Sequence, residues 1–335
     1  MQGTSKANHA LVVLALTALL LVACGGSSDG TESDAAQDVT ADQETADGGT
    51  PQVDDNESDE DTAPACPTGP DVGVTRSSLE APDGRTRDYA VVVPESRELP
   101  SPLVIDLHFF GGSIDLHLEL DRWGELSEAE GFVVAFPEAT LLEIGQTAWF
   151  ASPEATPDAE TPDEVGFIET LIDELTETAC IDPTLIHVIG HSNGAAMASL
   201  VACRLPNRVA SVVTISGLAP SQETCDRSRD VPLLHVHGDA DPTAEYSTHR
   251  GFVETWAAER GCDTEPALTT LSGEVQREDF SGCTADISLI TILGRGHPRP
   301  GDPPGVLDEA QFGTATSEVV AADLAWEWFE EHPLG

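Results

Sequence analysis

The pentapeptide Gly190-His191-Ser192-Asn193-Gly194 lies where an apolar run, 185–189, gives way to a small-residue stretch with helical spacing, 195–205. A serine with glycine two residues away on either side suits a sharp strand-to-helix turn. The crowded backbone leaves no room for Cβ atoms, while the hydroxyl stays exposed. A serine so held acts as a nucleophile when a base removes its proton. The pentapeptide alone is a weak signal in a chain this rich in glycine and serine, and two further segment ends give it weight. The run 233–237 ends in His237-Gly238-Asp239-Ala240-Asp241-Pro242, and the run 287–293 leads into Gly294-Arg295-Gly296-His297-Pro298. Serine, carboxylate and histidine thus follow one another along the chain, with Asp239 and Asp241 both available as the acid.

The elements that must position these residues are legible as short, β-branched, nearly continuous apolar runs at 103–108, 132–136, 185–189, 209–215, 233–237 and 287–293. Such runs suit parallel strands covered on both faces. Two further runs, 74–79 and 87–93, flank Pro82-Asp83-Gly84, a hairpin signal. Helical spacing predicts helices over 116–129, 164–178, 195–205, 248–259 and 316–329. The alternation implies βαβ units in one open, mostly parallel sheet with helices on both faces. Ligands of such sheets bind outside the carboxyl ends of the strands, where Ser192, the two aspartates and His297 all fall. The chain order Ser, Asp, His is that of the α/β-hydrolase arrangement. The interval between the runs 209–215 and 233–237 is too short for a large lid domain.

Several stretches, in order, carry a resemblance: "RDYAVVVP", "PLVIDLHFFGG", "PDEVGFIETLIDEL", "IDPTLIHVIGHSNGAAMASLVACRLPNRVASVVTISG", "PLLHVHGDADPTAEY", "FVETWAAERGC" and "GRGHPRPG". From Gly84 onward the chain resembles the secreted α/β-hydrolases that include polyhydroxybutyrate depolymerases and feruloyl or acetylxylan esterases (carbohydrate esterase family 1 and LpqC-like relatives). The resemblance implies Ser192 as nucleophile, Asp241 as acid and His297 as base. Asp239 falls where the family usually has threonine. It also implies an oxyanion hole built from the Asn193 and Phe110 N–H groups, no metal and no cofactor. The substrate implied is a carboxylic ester, polymer-attached or bulky, such as a polyhydroxyalkanoate or a plant cell-wall acyl ester.

Two positions depart from the family pattern. Phe109 stands where His-Gly-x-Gly has its first glycine, and Arg299 stands where an aromatic residue often follows the base. These two and Trp149 are candidates for lining the cleft. Both departures also support a rival reading, a non-catalytic surface binding protein that keeps the fold; a serine peptidase of the same fold is the rival among enzymes, disfavoured because no propeller or cap domain is legible. His235 and His237, two apart on one strand, read as hydrogen-bonded strand-end groups rather than metal ligands, His191 as turn lining and His108 as a loop anchor.

Upstream of this body, Lys6 precedes an uncharged apolar run, 10–23, ending in Leu21-Val22-Ala23-Cys24. It is too short to span a bilayer as a helix and resembles a bacterial lipobox in which Cys24 becomes lipidated. Residues 1–24 are thus expected to be a signal peptide. Residues 25–65 are expected to be an acidic disordered tether, because a segment so polar cannot bury enough apolar surface to offset its ordering entropy. Residues 66–335 are the expected catalytic domain. The implied location is outside the cytoplasm, anchored by lipid to a bacterial membrane or cell surface, or extracellular.

The net charge of −45 argues against nucleic acid as a partner. Six cysteines besides Cys24, an even number in an exported chain, read as disulfides. Cys262 with Cys283 and Cys203 with Cys225 each close a loop of about 20 residues, leaving Cys66 with Cys180.

Overall fold

The computed structural model describes residues 71–335 except 121, 153–156, 159 and 220–224. The expected signal peptide, the tether, Cys24 and Cys66 lie outside the described residues. Twelve strands form among them: β1 (Gly73–Glu80), β2 (Thr86–Val93), β3 (Ser101–Leu107), β4 (Val133–Pro137), β5 (Thr140–Leu141), β6 (Thr147–Ala148), β7 (Ile181–His191), β8 (Ser211–Ile215), β9 (Leu233–Gly238), β10 (Ala267–Thr270), β11 (Val275–Phe280) and β12 (Ile287–Ile292). The helices are α1 (Ile114–Leu120), α2 (Trp123–Glu130), α3 (Glu164–Thr178), α4 (Asn193–Arg204), α5 (Tyr246–Glu259), α6 (Glu309–Phe312) and α7 (Ala321–Glu331).

Ten strands make one sheet in the order β1-β2-β4-β3-β7-β8-β9-β12-β11-β10, and β5 and β6 pair separately. The six central strands, β4 to β12 in that order, run parallel, while antiparallel strands close both edges. Both faces of the central strands are buried because their residues alternate between two cores. On β3, Leu103, Ile105 and Leu107 meet α3, α4 and α5, whereas Val104 belongs to the core under α2 and α7. That double burial is why the central strands read as unbroken apolar runs rather than alternating ones.

The sequence-level helices differ in detail. The expected helix over 116–129 is two, α1 and α2. The expected helix over 316–329 starts at Ala321, because Thr316 is spent in the preceding loop, accepting from Gly301 N–H and donating its hydroxyl to Glu274. The antiparallel strands β10, at the edge, and β11, next to it, were missed: β10 is exposed throughout and β11 is buried only at its ends, so no apolar pattern marks them.

Disulfides join Cys203 to Cys225 and Cys262 to Cys283. The first fastens the end of α4 to the approach to β9, the second the end of α5 to the β11–β12 turn. Cys180 is also disulfide-bonded. Only residues 216–232 separate β8 from β9, which leaves no large lid over the strand ends. No described helix is long and apolar enough to cross a membrane.

Candidate active site

Three loops, following β7, β9 and β12, bring together the residues singled out at the carboxyl edge of the sheet. Ser192 caps α4 with φ 55° and ψ −115°, a left-handed backbone conformation that costs a non-glycine residue on the order of 1–3 kcal/mol. The flanking glycines are required by this turn. A Cβ at Gly190 would collide with the Gly194 carbonyl, and one at Gly194 with the Leu107 carbonyl. The turn is held by Ser192 N–H donating to Ile215 O on β8 (2.8 Å).

The Ser192 hydroxyl lies 2.8 Å from His297 Nε2, and His297 Nδ1 lies 2.7 Å from Asp241 Oδ2. Ser192 remains half-exposed, while His297 is 3% exposed and Asp241 is buried. Burial works against the Asp241 charge, but hydrogen bonds from His237, His297 and the Ala244 N–H outweigh it and hold the carboxyl well below the usual carboxylate range. Ionised Asp241 can only accept, so His297 Nδ1 carries a proton and Nε2 offers its lone pair to the serine hydroxyl. A hydroxyl beside a free imidazole nitrogen, with the opposite nitrogen tied to a buried carboxylate, is an arrangement suited to acyl transfer. Asp239 is exposed and accepts from Gly294 N–H at 2.5 Å, turned toward the β12 loop instead of the imidazole.

The base loop is fixed from two sides. His297 N–H donates to Phe312 O (2.7 Å) and Gly296 N–H to Thr314 O (3.0 Å). From the serine turn, His191 Nε2 donates to His297 O at 2.9 Å. Burial, with the nearby His297 and Arg299, holds His191 well below its ordinary pKa, so it acts as a neutral donor. His191, read as turn lining, thus couples the two loops.

The facing loop, 108–112, carries the departure at Phe109. Phe109 keeps a negative φ, unlike the described non-glycine residues Cys180, Ser192 and Ser216, so no left-handed glycine is needed there. Its ring packs edge-on against His191 with centroids 5.4 Å apart, which makes it a floor beneath the serine turn. The loop is shaped by His108: Nε2 accepts from Ala139 N–H (3.0 Å), so Nδ1 donates to Phe109 O (2.8 Å), which also accepts from Gly112 N–H (2.9 Å).

Trp149 is buried and does not wall the cleft. Its indole Nε1 donates to His108 O (2.9 Å), and its backbone is clasped by the Asn193 side chain: Trp149 N–H donates to Oδ1 (2.7 Å) and Nδ2 donates to Trp149 O (3.0 Å). Asn193 and Trp149 thereby tie the start of α4 to the 108–112 loop. The Asn193 N–H, at the first position of a helix, lacks an intrahelical acceptor, and among the described residues none accepts from Phe110 N–H.

Arg299, expected at the cleft, is buried as well. It is 4% exposed, and its Nη1 donates to the buried Asp106 Oδ2 at 3.1 Å, an acceptor shared with Trp123 Nε1 (2.8 Å). Its partner is a core carboxylate at the end of β3, and sequence reasoning missed Asp106 because a lone acid inside an apolar run carries no pattern. The aromatic neighbour of the base is instead Phe312, its ring centroid 6.0 Å from that of His297.

Residues 88–272 match the phospholipase/carboxylesterase family. A protein of Nocardia uniformis subsp. tsuyamanensis, named as an esterase, is 31% identical over 258 residues, 72% of this chain and 66% of that one. Feruloyl esterase C of Emericella nidulans is 26% identical over 72% of this chain and 83% of its own, and feruloyl esterase B of Piromyces equi 28% over 65% and 42%. This chain thus spans under two thirds of the length of some of these relatives. Among solved structures, the acetyl xylan esterase from Aspergillus awamori superposes with a TM-score of 0.59 at 16% identity, over 76% of this chain and 99% of that one, a likeness of fold. With an α/β-hydrolase sheet, the serine turn at its centre and the family match over most of its parallel strands, the chain belongs to the phospholipase/carboxylesterase family of α/β-hydrolases.

Proposed function

We propose that this chain is a serine esterase that hydrolyses carboxylic esters through an acyl-enzyme. The observation that carries the reading is the continuous set of hydrogen bonds from Ser192 Oγ through His297 to the buried, ionised Asp241. His297 Nε2 takes the Ser192 proton as Oγ attacks the ester carbonyl, and the carbonyl π electrons move onto oxygen. Asp241 holds the imidazole tautomer and stabilises the imidazolium. The N–H groups of Asn193 and Phe110 receive the oxyanion. As the tetrahedral species collapses, His297 returns its proton to the departing alcohol. Water then repeats the cycle on the acyl-serine, releasing the acid and restoring the Ser192 hydroxyl. Every step uses groups of this chain and water.

The substrate class proposed is an acyl ester on a bulky or polymeric alcohol, in line with the feruloyl and acetyl xylan esterases named above. With Arg299 buried against Asp106, no cation is offered to a substrate carboxylate at that position. The half-buried Phe312 beside the base favours an apolar group there. Residues 1–24 and 25–65 are proposed as a lipoprotein signal with Cys24 lipidated and an extended tether, carrying the enzyme outside the cytoplasm to reach such esters. The test is a panel of acetyl, 3-hydroxybutyryl and feruloyl esters with purified protein. Turnover of at least one, abolished by Ser192→Ala, is expected; negligible rates on all three would exclude this substrate class.

A further inference from the structure

Behind Asp241 the hydrogen-bond chain continues into the core. His237 Nε2 lies 2.9 Å from Ala244 O and 3.2 Å from Asp241 Oδ2. Both are acceptors, so Nε2 carries a proton and, in the neutral ring, Nδ1 is a lone pair. His235 Nε2 stands 3.0 Å from that Nδ1 and donates to it, which leaves His235 Nδ1 to accept from the Thr214 hydroxyl at 2.8 Å. Each tautomer is dictated by the next. Burial, reinforced by His237 and His249, keeps His235 neutral. Thr214 on β8 and both histidines on β9 are buried. One path thus runs Thr214, His235, His237, Asp241, His297, Ser192.

The carboxylate at its centre is saturated. Asp241 Oδ1 accepts from the Thr243 and Ala244 N–H groups at 2.7 and 2.9 Å, Oδ2 accepts from His297, and the His237 Nε2–H, bonded to Ala244 O at 2.9 Å, is shared with Oδ2 at 3.2 Å. We propose that His237 is a positioning residue for the reaction, its Nε2–H, oriented by His235 and Thr214, holding Asp241 Oδ2 toward the base and drawing charge away from it. This rests on the Ser192–His297–Asp241 reading above. Two consequences follow from removing that donor. The carboxylate gains freedom to turn away from His297, which lowers the rate. The charge left on Oδ2 stabilises the imidazolium more strongly, so the acid limb of the rate profile moves to higher pH.

Other groups face this pair. His235 lies on β9, and Tyr246 and His249 on α5 have ring centroids 5.9 and 4.9 Å from that of His237. His191 stands beside His297, with Arg299 beyond it. Burial holds His191 and His235 well below the ordinary value and, with His237 near it, pulls His249 down to about 3, so these three do not set the acid limb near neutral pH.

The donor atoms of His235, His237 and His249 lie within 4.8 Å of one another, which would suit a transition metal. A metal there would need the lone pair on His237 Nδ1 that the His235 hydrogen bond already occupies. The His235–His237 hydrogen bond and a metal on His237 Nδ1 therefore exclude one another.

The experiment uses the full chain and p-nitrophenyl acetate, with kcat and KM followed across the acid limb for wild type, His237→Leu, His237→Gln and Thr214→Val. Fluorophosphonate labelling of wild-type Ser192 first establishes the triad reading by itself; without it that reading falls, and this one with it. His237→Leu is expected to lower kcat by about 10- to 100-fold at unchanged KM and to move the acid limb to higher pH. His237→Gln, whose side-chain amide keeps a donor, is expected to recover most of both. Thr214→Val, nearly isosteric, is expected to shift both in the same direction by a few-fold, and it carries the test if His237→Leu fails to fold. An unchanged acid limb and kcat in a folded His237→Leu, or in Thr214→Val, would overturn the proposal. Activity lost on dialysis against EDTA and restored by zinc would overturn it in favour of a metal site.

Discussion

The two sides of the candidate site are built on different terms. On one side, the loops after β7, β9 and β12 supply three side chains linked at hydrogen-bond distance: Ser192 through Oγ, His297 through Nε2 and Nδ1, and Asp241 through Oδ2. On the other, the 108–112 loop after β3 is asked only for a backbone N–H. Where a side chain does the chemistry, few residue types will serve. Where a backbone group does it, the residue is free to change as long as something else holds the loop. Here that support is a lattice of His108, Trp149 and the Asn193 side chain, with the Phe109 ring wedged on His191. Phe109 in place of glycine is thus accommodated by a loop that its neighbours hold in shape, which leaves the proposed Phe110 donor possible without a glycine.

The sharpest division should appear within the first side. Asp241→Asn is expected to lower kcat by about 10⁴-fold, since an amide would hold His297 in the wrong tautomer, while Asp239→Asn should leave kcat within about two-fold; equal losses in the two variants would show that the acid had been misassigned. At the link between the two sides, Asn193→Ala should lower kcat by about 10- to 100-fold with KM little changed. It keeps the N–H but unclasps Trp149, and so the loop that positions the second donor. No change in kcat would mean that the 108–112 loop holds its shape without the clasp.

Buried histidines lie on both sides, and their pH response is expected to be common to both. Burial lowers His108 to about 4 and His249 to about 3, and holds His191 and His235 well below the ordinary value. Each folded-state value is depressed, so the unfolded chain takes up protons first. Stability is full above the unfolded value of about 6.5 and falls as pH drops toward the folded value, by up to about 1.4 kcal/mol per pH unit for each such histidine. Thermal melts should show Tm declining from about pH 6.5 downward, well before the carboxylates titrate; a flat Tm down to pH 5 would contradict it. The smallest effect is expected at the departure itself. Phe109→Leu should keep kcat within about three-fold, because the backbone is held by neighbours and the ring acts as filler.

What the sequence made legible follows the same division. Glycine-flanked turns and chain order pointed to Ser192 and His297, only the family resemblance set Asp241 ahead of Asp239, and the central strands were legible because double burial demands apolar residues throughout. Arg299 was misread as a cleft residue because its partner, Asp106, lies 193 positions away and only the fold brings them together. Trp149 was misread for a related reason: an aromatic in a loop gives no sign whether it faces substrate or the neighbouring loop. The His237–His235–Thr214 path was legible only as two histidines on one face, since its third member comes from another strand.

The central claim is that Ser192 is an activated nucleophile, and the most direct measurement is intact mass after treatment with a fluorophosphonate, followed by peptide mapping. A single adduct on Ser192, absent from Ser192→Ala and strongly slowed in His297→Ala, is the expected result. An unmodified wild-type protein, or an adduct that persists in Ser192→Ala, would contradict it.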